Sequence, residues 1–119
     1  MSEAEKQAEA MVPVPSGQPV RLQDIFWEEG EDLLLRVRFV APQIARSGGI
    51  VDHDTAMTDM RHLCEHFVLA QLTEGDDMPA QIILSLSDIE VPFGEADPEA
   101  TQFFEAYRLD GTNCISELY

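Results

Sequence analysis

Long hydrophobic runs are missing from this sequence of 119 residues. No apolar segment approaches the roughly 20 residues that a membrane-spanning helix needs. The opening segment, MSEAEKQAEA, contains three glutamates and no hydrophobic stretch, so it does not have the form of a secretory signal. We therefore expect a cytoplasmic protein from the sequence as written, and a periplasmic one if the N-terminus has been replaced.

Basic residues are also scarce, because 7 lysines and arginines stand against 23 aspartates and glutamates, which gives a formal net charge of −16. A surface of this charge repels phosphate groups, which argues against direct binding of nucleic acid or of anionic membranes. The expected partner is a protein with a basic surface. An acidic mimic of nucleic acid, which would fill a basic groove on another protein, is a weaker alternative.

Motifs for cofactors and for redox chemistry are lacking. The Gly-Gly pair in APQIARSGGI has neither the Lys-Ser/Thr of a P-loop nor the GxGxxG spacing of a dinucleotide site. The two cysteines, Cys64 and Cys114, do not form a CxxC motif. We predict no cofactor, identify no small-molecule substrate and assign no catalytic residue.

The length and the composition, 45% apolar and 25% charged, are typical of one globular domain. Residues 1–19 are acidic at first and then proline-rich in VPVPSGQP, so we expect them to form a flexible tail. Residues 20–119 are expected to form a single domain.

Alternating apolar and polar residues predict strands in VRLQDIFW, in LLLRVRFV and in QIILSLS (81–87). A helical turn at 97–101 and then a hairpin around Asp110-Gly111 are expected near the end, with Tyr107 opposite Cys114. Together with one helix, the order is ββαβββ. The predicted fold class is α+β, a single antiparallel sheet packed against one main helix.

The main helix is predicted over about 55–73, with Asp54 as its N-cap. On a helical wheel, Cys64 falls within the apolar stripe, whereas His62, Glu65 and His66 lie on the other side, together with Asp59. The stripe expected to face the core contains Ala56, Met57, Met60, Leu63, Cys64, Phe67, Val68, Ala70 and Gln71.

Asp59, His62 and His66 form a candidate metal site, because histidines four residues apart stand one above the other on a helix. HLCEH also fits the HxxEH pattern of inverted zinc proteases, in which Glu65 would act as the general base. The other interpretation of the same residues is an ordinary polar helix face. A metal-binding protein or a metal-dependent hydrolase is therefore the alternative to a non-enzymatic function.

Cys64 and Cys114 are both expected on core-facing sides, one from the helical pattern and one from the strand pattern. A disulfide between the helix and the last hairpin is one outcome, and two buried thiols in a reducing compartment is the other.

A candidate interaction surface lies on the opposite face of the sheet. Arg36 and Arg38 share one face of their strand, and the predicted hairpin turns Phe104 and Ile115 away from the core. Exposed aromatic and apolar side chains beside arginine are typical of a partner-binding patch.

The segments VPSGQPVRLQDIFWE, RFVAPQIARSGG and VPFGEADPEATQFFEAYR, between residues 14 and 108, resemble a family of short, uncharacterised alphaproteobacterial proteins. Members are sometimes labelled acetolactate synthase, but this chain has neither the several domains nor the Gly-Asp-Gly motif of a thiamine-diphosphate enzyme. Because some members carry an export signal, the resemblance implies a periplasmic location and a Cys64–Cys114 disulfide. The leading hypothesis is a non-enzymatic accessory protein that acts through protein–protein contact.

Overall fold

The computed structural model describes residues 11–72 and 78–117 of the chain. They form one five-stranded sheet with a helical layer, which confirms the predicted α+β class and the order ββαβββ. None of the helices in these residues has the length and apolar character that crossing a membrane requires. In chain order the elements are β1 (Arg21–Glu28), β2 (Leu34–Val40), a 3-10 turn (Pro42–Ile44), α1 (His53–His62), a π-helical segment (Leu63–Val68), α2 (Leu69–Gln71), β3 (Gln81–Ser87), β4 (Gln102–Asp110) and β5 (Asn113–Glu117).

The five strands lie in the sheet in the same order as in the chain. Three neighbouring pairs are antiparallel, but β2 and β3 are parallel, so the sheet is mostly rather than entirely antiparallel. The cause is topological. The helix between β2 and β3 carries the chain back along the sheet, so both strands run in the same direction.

The helix begins two residues earlier than the sequence predicted. Asp52, rather than Asp54, is the N-cap, and its carboxylate accepts the N–H of Thr55 at 2.9 Å. This hydrogen bond satisfies one of the backbone donors that a helix leaves unpaired in its first turn.

A π-helical segment follows α1, and within it the N–H of Leu69 donates to the carbonyl of Cys64, five residues earlier. This wider turn puts the side chains that follow out of phase with a regular α-helix. Ala70 and Gln71, which the wheel placed in the core stripe, are therefore exposed. The stripe residues that the structure buries are Ala56, Met60, Leu63, Cys64 and Val68, and Met57 and Phe67 pack against them.

The core lies between this helix and one face of the sheet. The alternation predicted for β2 and β3 is confirmed, because every second side chain points towards the helix. The strand residues buried there are Leu35, Val37 and Phe39 from β2, and Ile82, Leu84 and Leu86 from β3.

The proline-rich segment before β1 lies against this core. Val12 and Val14 pack on it, and the N–H of Val12 donates to the carbonyl of Val20 at 2.8 Å. Residues 11–19, which the sequence assigned to the tail, thus contact the domain. The rest of the predicted tail, residues 1–10, lies outside the described residues.

The last two strands form the predicted hairpin with a shifted turn. Asp110 pairs with Asn113, so Gly111 and Thr112 are the central residues, and Leu109 rather than Tyr107 lies opposite Cys114. Gly111 has a φ of 63°, at the first central position where a type II′ turn needs glycine. The faces of the strands stay as predicted, because this shift preserves the alternation.

Candidate functional site

The face of the sheet away from the helix carries the predicted interaction surface. Arg36 and Arg38 lie on β2, and Phe104 lies on β4 opposite Ser85 of the central strand. Ile115 lies on the same face of β5, where it pairs with Arg108. Strand alternation alone puts these four predicted residues on one face.

Three of the four predicted residues line a common groove, which we call the arginine groove. It has a volume of about 350 Å³, and Ile115 is not part of its lining. The lining residues that carry the argument are Arg36, Arg38, Ile83, Phe93, Glu95 and Phe104.

One wall of the groove is the segment between β3 and β4, which we call the 88–101 loop. Its two ends are joined, because the N–H of Asp88 donates to the carbonyl of Thr101 and the N–H of Thr101 donates to the Asp88 carboxylate. At its tip the N–H of Glu95 donates to the carbonyl of Pro92, and Gly94 has a φ of 82°. This turn presents Phe93 to the sheet.

Phe93 packs on the two arginines. Its ring centre lies 5.1 Å from the Arg36 guanidinium and 5.5 Å from that of Arg38, within the range of a cation–π interaction. The ring also meets Phe26 edge to face, with centroids 4.9 Å apart. Even so, 49% of Phe93 stays exposed, so it offers an apolar surface held in a fixed position.

Both arginines are engaged in ion pairs with β1. Arg36 lies 3.1 Å from the Glu28 carboxylate, and Arg38 lies 2.9 Å from that of Asp24. The Arg38 guanidinium also donates to the carbonyl of Val91 in the 88–101 loop. The positive charge of the groove floor is thus largely balanced from within the domain.

The 88–101 loop gives the groove an acidic rim at Glu95, which lines it. Glu90 and Glu99 of the same loop are also exposed but do not line the groove, and Glu90 forms an ion pair with Arg21 at 2.7 Å. Glu95 lines the groove and forms no ion pair with another described residue. With a chain charge of −16, this rim favours a cationic group over an anionic one.

The candidate metal residues are brought together only in part. The rings of His62 and His66 stack with centroids 4.4 Å apart, so these two histidines do stand one above the other. Asp59 is not beside them. It is completely buried and accepts hydrogen bonds from the Ser16 N–H and from the Gln18 amide.

The placement of Asp59 on the polar helix face was therefore wrong. Asp59 sits at the boundary of the apolar stripe, and residues 16–18 cross over it and supply the hydrogen bonds that its burial requires. Within residues 11–72 and 78–117, no group of three histidine, cysteine, aspartate or glutamate side chains is close enough to hold a metal ion.

Glu65 also differs from its predicted position. Its carboxylate accepts the backbone N–H of Cys114 at 2.9 Å and lies 3.6 Å from Arg61. It therefore points to β5 rather than away from the sheet. A side chain held in this way bonds a backbone amide of the fold, which does not match the general base of the HxxEH pattern.

Cys64 and Cys114 lie at the junction of the helix and β5. Their sulfur atoms are 2.08 Å apart, the distance of a disulfide, and 50 residues separate them in the sequence. Both residues are buried. The helical pattern for Cys64 and the strand pattern for Cys114 thus correctly predicted that both face the core.

The sequence patterns did not assign Phe93 or the loop that carries it to the interaction surface. The available signal was the Pro92-Phe93-Gly94 turn, because proline and glycine around one residue favour a tight turn with that side chain at its tip. The contact of this tip with the arginines depends on the fold.

Comparison with protein-family models places the whole chain, residues 1–119, in a family of unknown function designated DUF6497. The chain belongs to this family. The resemblance to an uncharacterised family is thereby confirmed. Searches of the curated proteins and of the solved structures found no match for this DUF6497 chain.

Proposed function

We propose that this DUF6497 chain is a non-enzymatic accessory protein that binds a partner protein through the arginine groove. The observation that carries the proposal is the half-exposed Phe93 ring, which packs on the guanidinium groups of Arg36 and Arg38. Aromatic and arginine side chains in a shaped depression are the residues that most often dominate the energy of protein interfaces.

The proposed partner inserts an apolar side chain between Phe93 and Phe104, and it brings lysine or arginine residues to the acidic rim. The exposed fraction of Phe104, 44%, leaves apolar surface for such a contact. The arginines support this partner rather than an acidic one, because Glu28 and Asp24 already balance their charges. A basic residue of the partner would approach Glu95, which lines the groove.

We further propose an oxidising compartment, such as the periplasm, as the site of action. Disulfides persist in such compartments, whereas thiol reductants keep cysteines reduced in the cytoplasm. The pairing of the two buried cysteines, Cys64 and Cys114, supports this proposal.

The test compares the proteins retained from a host extract by wild-type chain and by a Phe93→Ser variant. We expect a retained protein at low salt that is lost at high salt, and affinity about 30-fold weaker for the variant, as for an aromatic anchor worth about 2 kcal/mol. Ile50→Ser is the matched control, because Ile50 is 84% exposed and lies outside the groove.

Two results would count against the groove. In the first, Phe93→Ser retains the same proteins as the wild type. In the second, Ile50→Ser loses them to the same extent as Phe93→Ser. The affinity of the purified partner for the chain should then be measured at two salt concentrations. An affinity that does not change with salt would contradict the role of the acidic rim in binding.

A further inference from the structure

The two outer edges of the sheet differ in how they are closed. On β5, the Glu65 side chain covers the outward N–H of Cys114. On β1, Met11 pairs with Arg21 at the beginning of the strand. Past that bridge, the outer edge of β1 has no strand partner in the described part of the chain.

Two apolar side chains lie exposed along this part of β1. Ile25 is 37% exposed and Trp27 is 42% exposed, and both lie on the helix side of the sheet, opposite Val37 and Leu35. Beside them is a cleft of about 250 Å³ that reaches the end of the helix at Leu72. This second surface is on the opposite side of the sheet from the arginine groove.

An uncovered edge strand presents a row of backbone donors and acceptors, and most proteins protect such edges with charge, proline or a covering segment. In β1 the irregularity between Leu22 and Asp24 disturbs the beginning of the strand. The part beyond it pairs regularly with β2 as far as Glu28. An edge with regular geometry and an adjacent apolar cleft suits the addition of a strand from another molecule.

We propose that the outer edge of β1 accepts an extended segment of a partner protein as a sixth strand. Backbone hydrogen bonds join that segment to β1, and every second side chain of the segment enters the cleft beside Ile25 and Trp27. Specificity comes from these alternate apolar side chains.

The charges at one end of the edge favour a basic residue on the segment. β1 ends at Glu28 and runs into an acidic turn in which Glu29, Glu31 and Asp32 are exposed. A segment with lysine or arginine at the end that lies beside this turn complements these acids. A second copy of the chain is disfavoured, because it would bring the same acids and a further charge of −16 to the interface.

Trp27 is the only tryptophan of the chain, so its fluorescence reports directly on this edge. The probe is a capped synthetic peptide of alternating valine and threonine with a lysine at each end. We expect a saturable shift of the Trp27 emission to shorter wavelength, because the ring loses contact with water. Ile25→Lys should weaken binding at least tenfold, whereas Ile50→Ser, at an exposed position outside the cleft, should leave it unchanged.

The decisive control is the same peptide with alternate backbone nitrogens methylated on the pairing edge. It keeps the side chains and the charges but cannot form the backbone ladder, so we expect at least a tenfold loss of affinity for the wild-type protein. Equal affinity of the two peptides, or no emission shift with the unmodified one, would overturn strand addition. Equal binding of a peptide with glutamate at each end would overturn the basic partner.

Sedimentation measurements of the chain without peptide test whether a second copy of the chain occupies the edge instead. A concentration-dependent dimer that Ile25→Lys abolishes would assign the edge to a second copy and overturn the partner segment. Because the groove and the edge are tested by different variants, failure of one proposal leaves the other standing.

Discussion

The carboxylate of Glu65 accepts a hydrogen bond from the backbone N–H of Cys114 at 2.9 Å. Glu65 directly follows Cys64 in the π-helical segment. This hydrogen bond and the Cys64–Cys114 disulfide together join the helix to the edge strand β5. They also give the HLCEH segment a structural role, because Cys64 and Glu65 both bind the last hairpin.

Loss of the Glu65 carboxylate should destabilise the protein. We expect Glu65→Ala to lower the free energy of unfolding by about 2 kcal/mol, since a hydrogen bond to a charged, mostly buried acceptor is lost. Glu65→Gln, which keeps an acceptor oxygen, should retain most of the stability. Urea unfolding measures both effects. Arg61→Ala is the control, because the Arg61 side chain is exposed and its ion pair with Glu65 should contribute less than about 1 kcal/mol.

Replacement of Asp59 should lower the free energy of unfolding more than replacement of an acid on the helix surface. Asp59→Ala leaves the Ser16 N–H and the Gln18 amide without their acceptor, and we expect a loss of about 3 kcal/mol in unfolding free energy. Limited proteolysis should also cut faster within residues 11–20. Asp54→Ala, at an exposed position in the same helix, should cost less than about 1 kcal/mol. Equal effects of the two variants would contradict the role of Asp59.

The oxidation state of Cys64 and Cys114 can be titrated directly. We expect no reactive thiol in the unfolded, unreduced protein and two after treatment with a reductant. Closing a loop over a separation of 50 residues stabilises a fold by about 4 kcal/mol, so the Cys64→Ala, Cys114→Ala double variant should lose about that much. Two thiols without reductant would refute the oxidised form and remove the support for an oxidising compartment.

Tyr107 should make stability fall at alkaline pH. Burial raises the pKa of Tyr107 well above its ordinary value, and the nearby Glu105 carboxylate acts in the same direction. The unfolded chain therefore loses its proton first, near pH 10, so the stabilisation is complete below about pH 10 and decreases above it. Urea unfolding at about pH 9 and about pH 11 should show this decrease. In Tyr107→Phe the decrease should be smaller, and an unchanged pH dependence would contradict the assignment.

The strands could be predicted well from the sequence because their signal is local. In β2 and β3 the alternation of apolar and polar residues directly reports which side chains face the core. The same alternation placed Arg36, Arg38, Phe104 and Ile115 on one face. The hairpin turn lies one residue later than predicted, with Gly111 and Thr112 rather than Asp110 and Gly111 at its centre. The position of the turn depends on which of its residues adopts a positive φ, and here it is Gly111.

The helix was predicted less well beyond its first turns. A regular wheel assumes a constant rotation per residue, and the π-helical segment breaks that assumption after Leu63. Asp59 was misplaced for a different reason. Its burial depends on a segment more than 40 residues earlier, and Ser16 and Gln18 contact it only in the folded protein.

The sequence by itself determined the α+β class, the faces of the strands, the acidic charge and the core-facing positions of Cys64 and Cys114, because each of these follows from composition or from short-range periodicity. Only the tertiary structure decided that Phe93 lies over Arg36 and Arg38 and that Glu65 meets Cys114. It also decided that, among the described residues, no strand pairs with the outer edge of β1 beside Trp27. These relationships join residues distant in the chain, and no local pattern specifies which distant groups the folded chain will bring together.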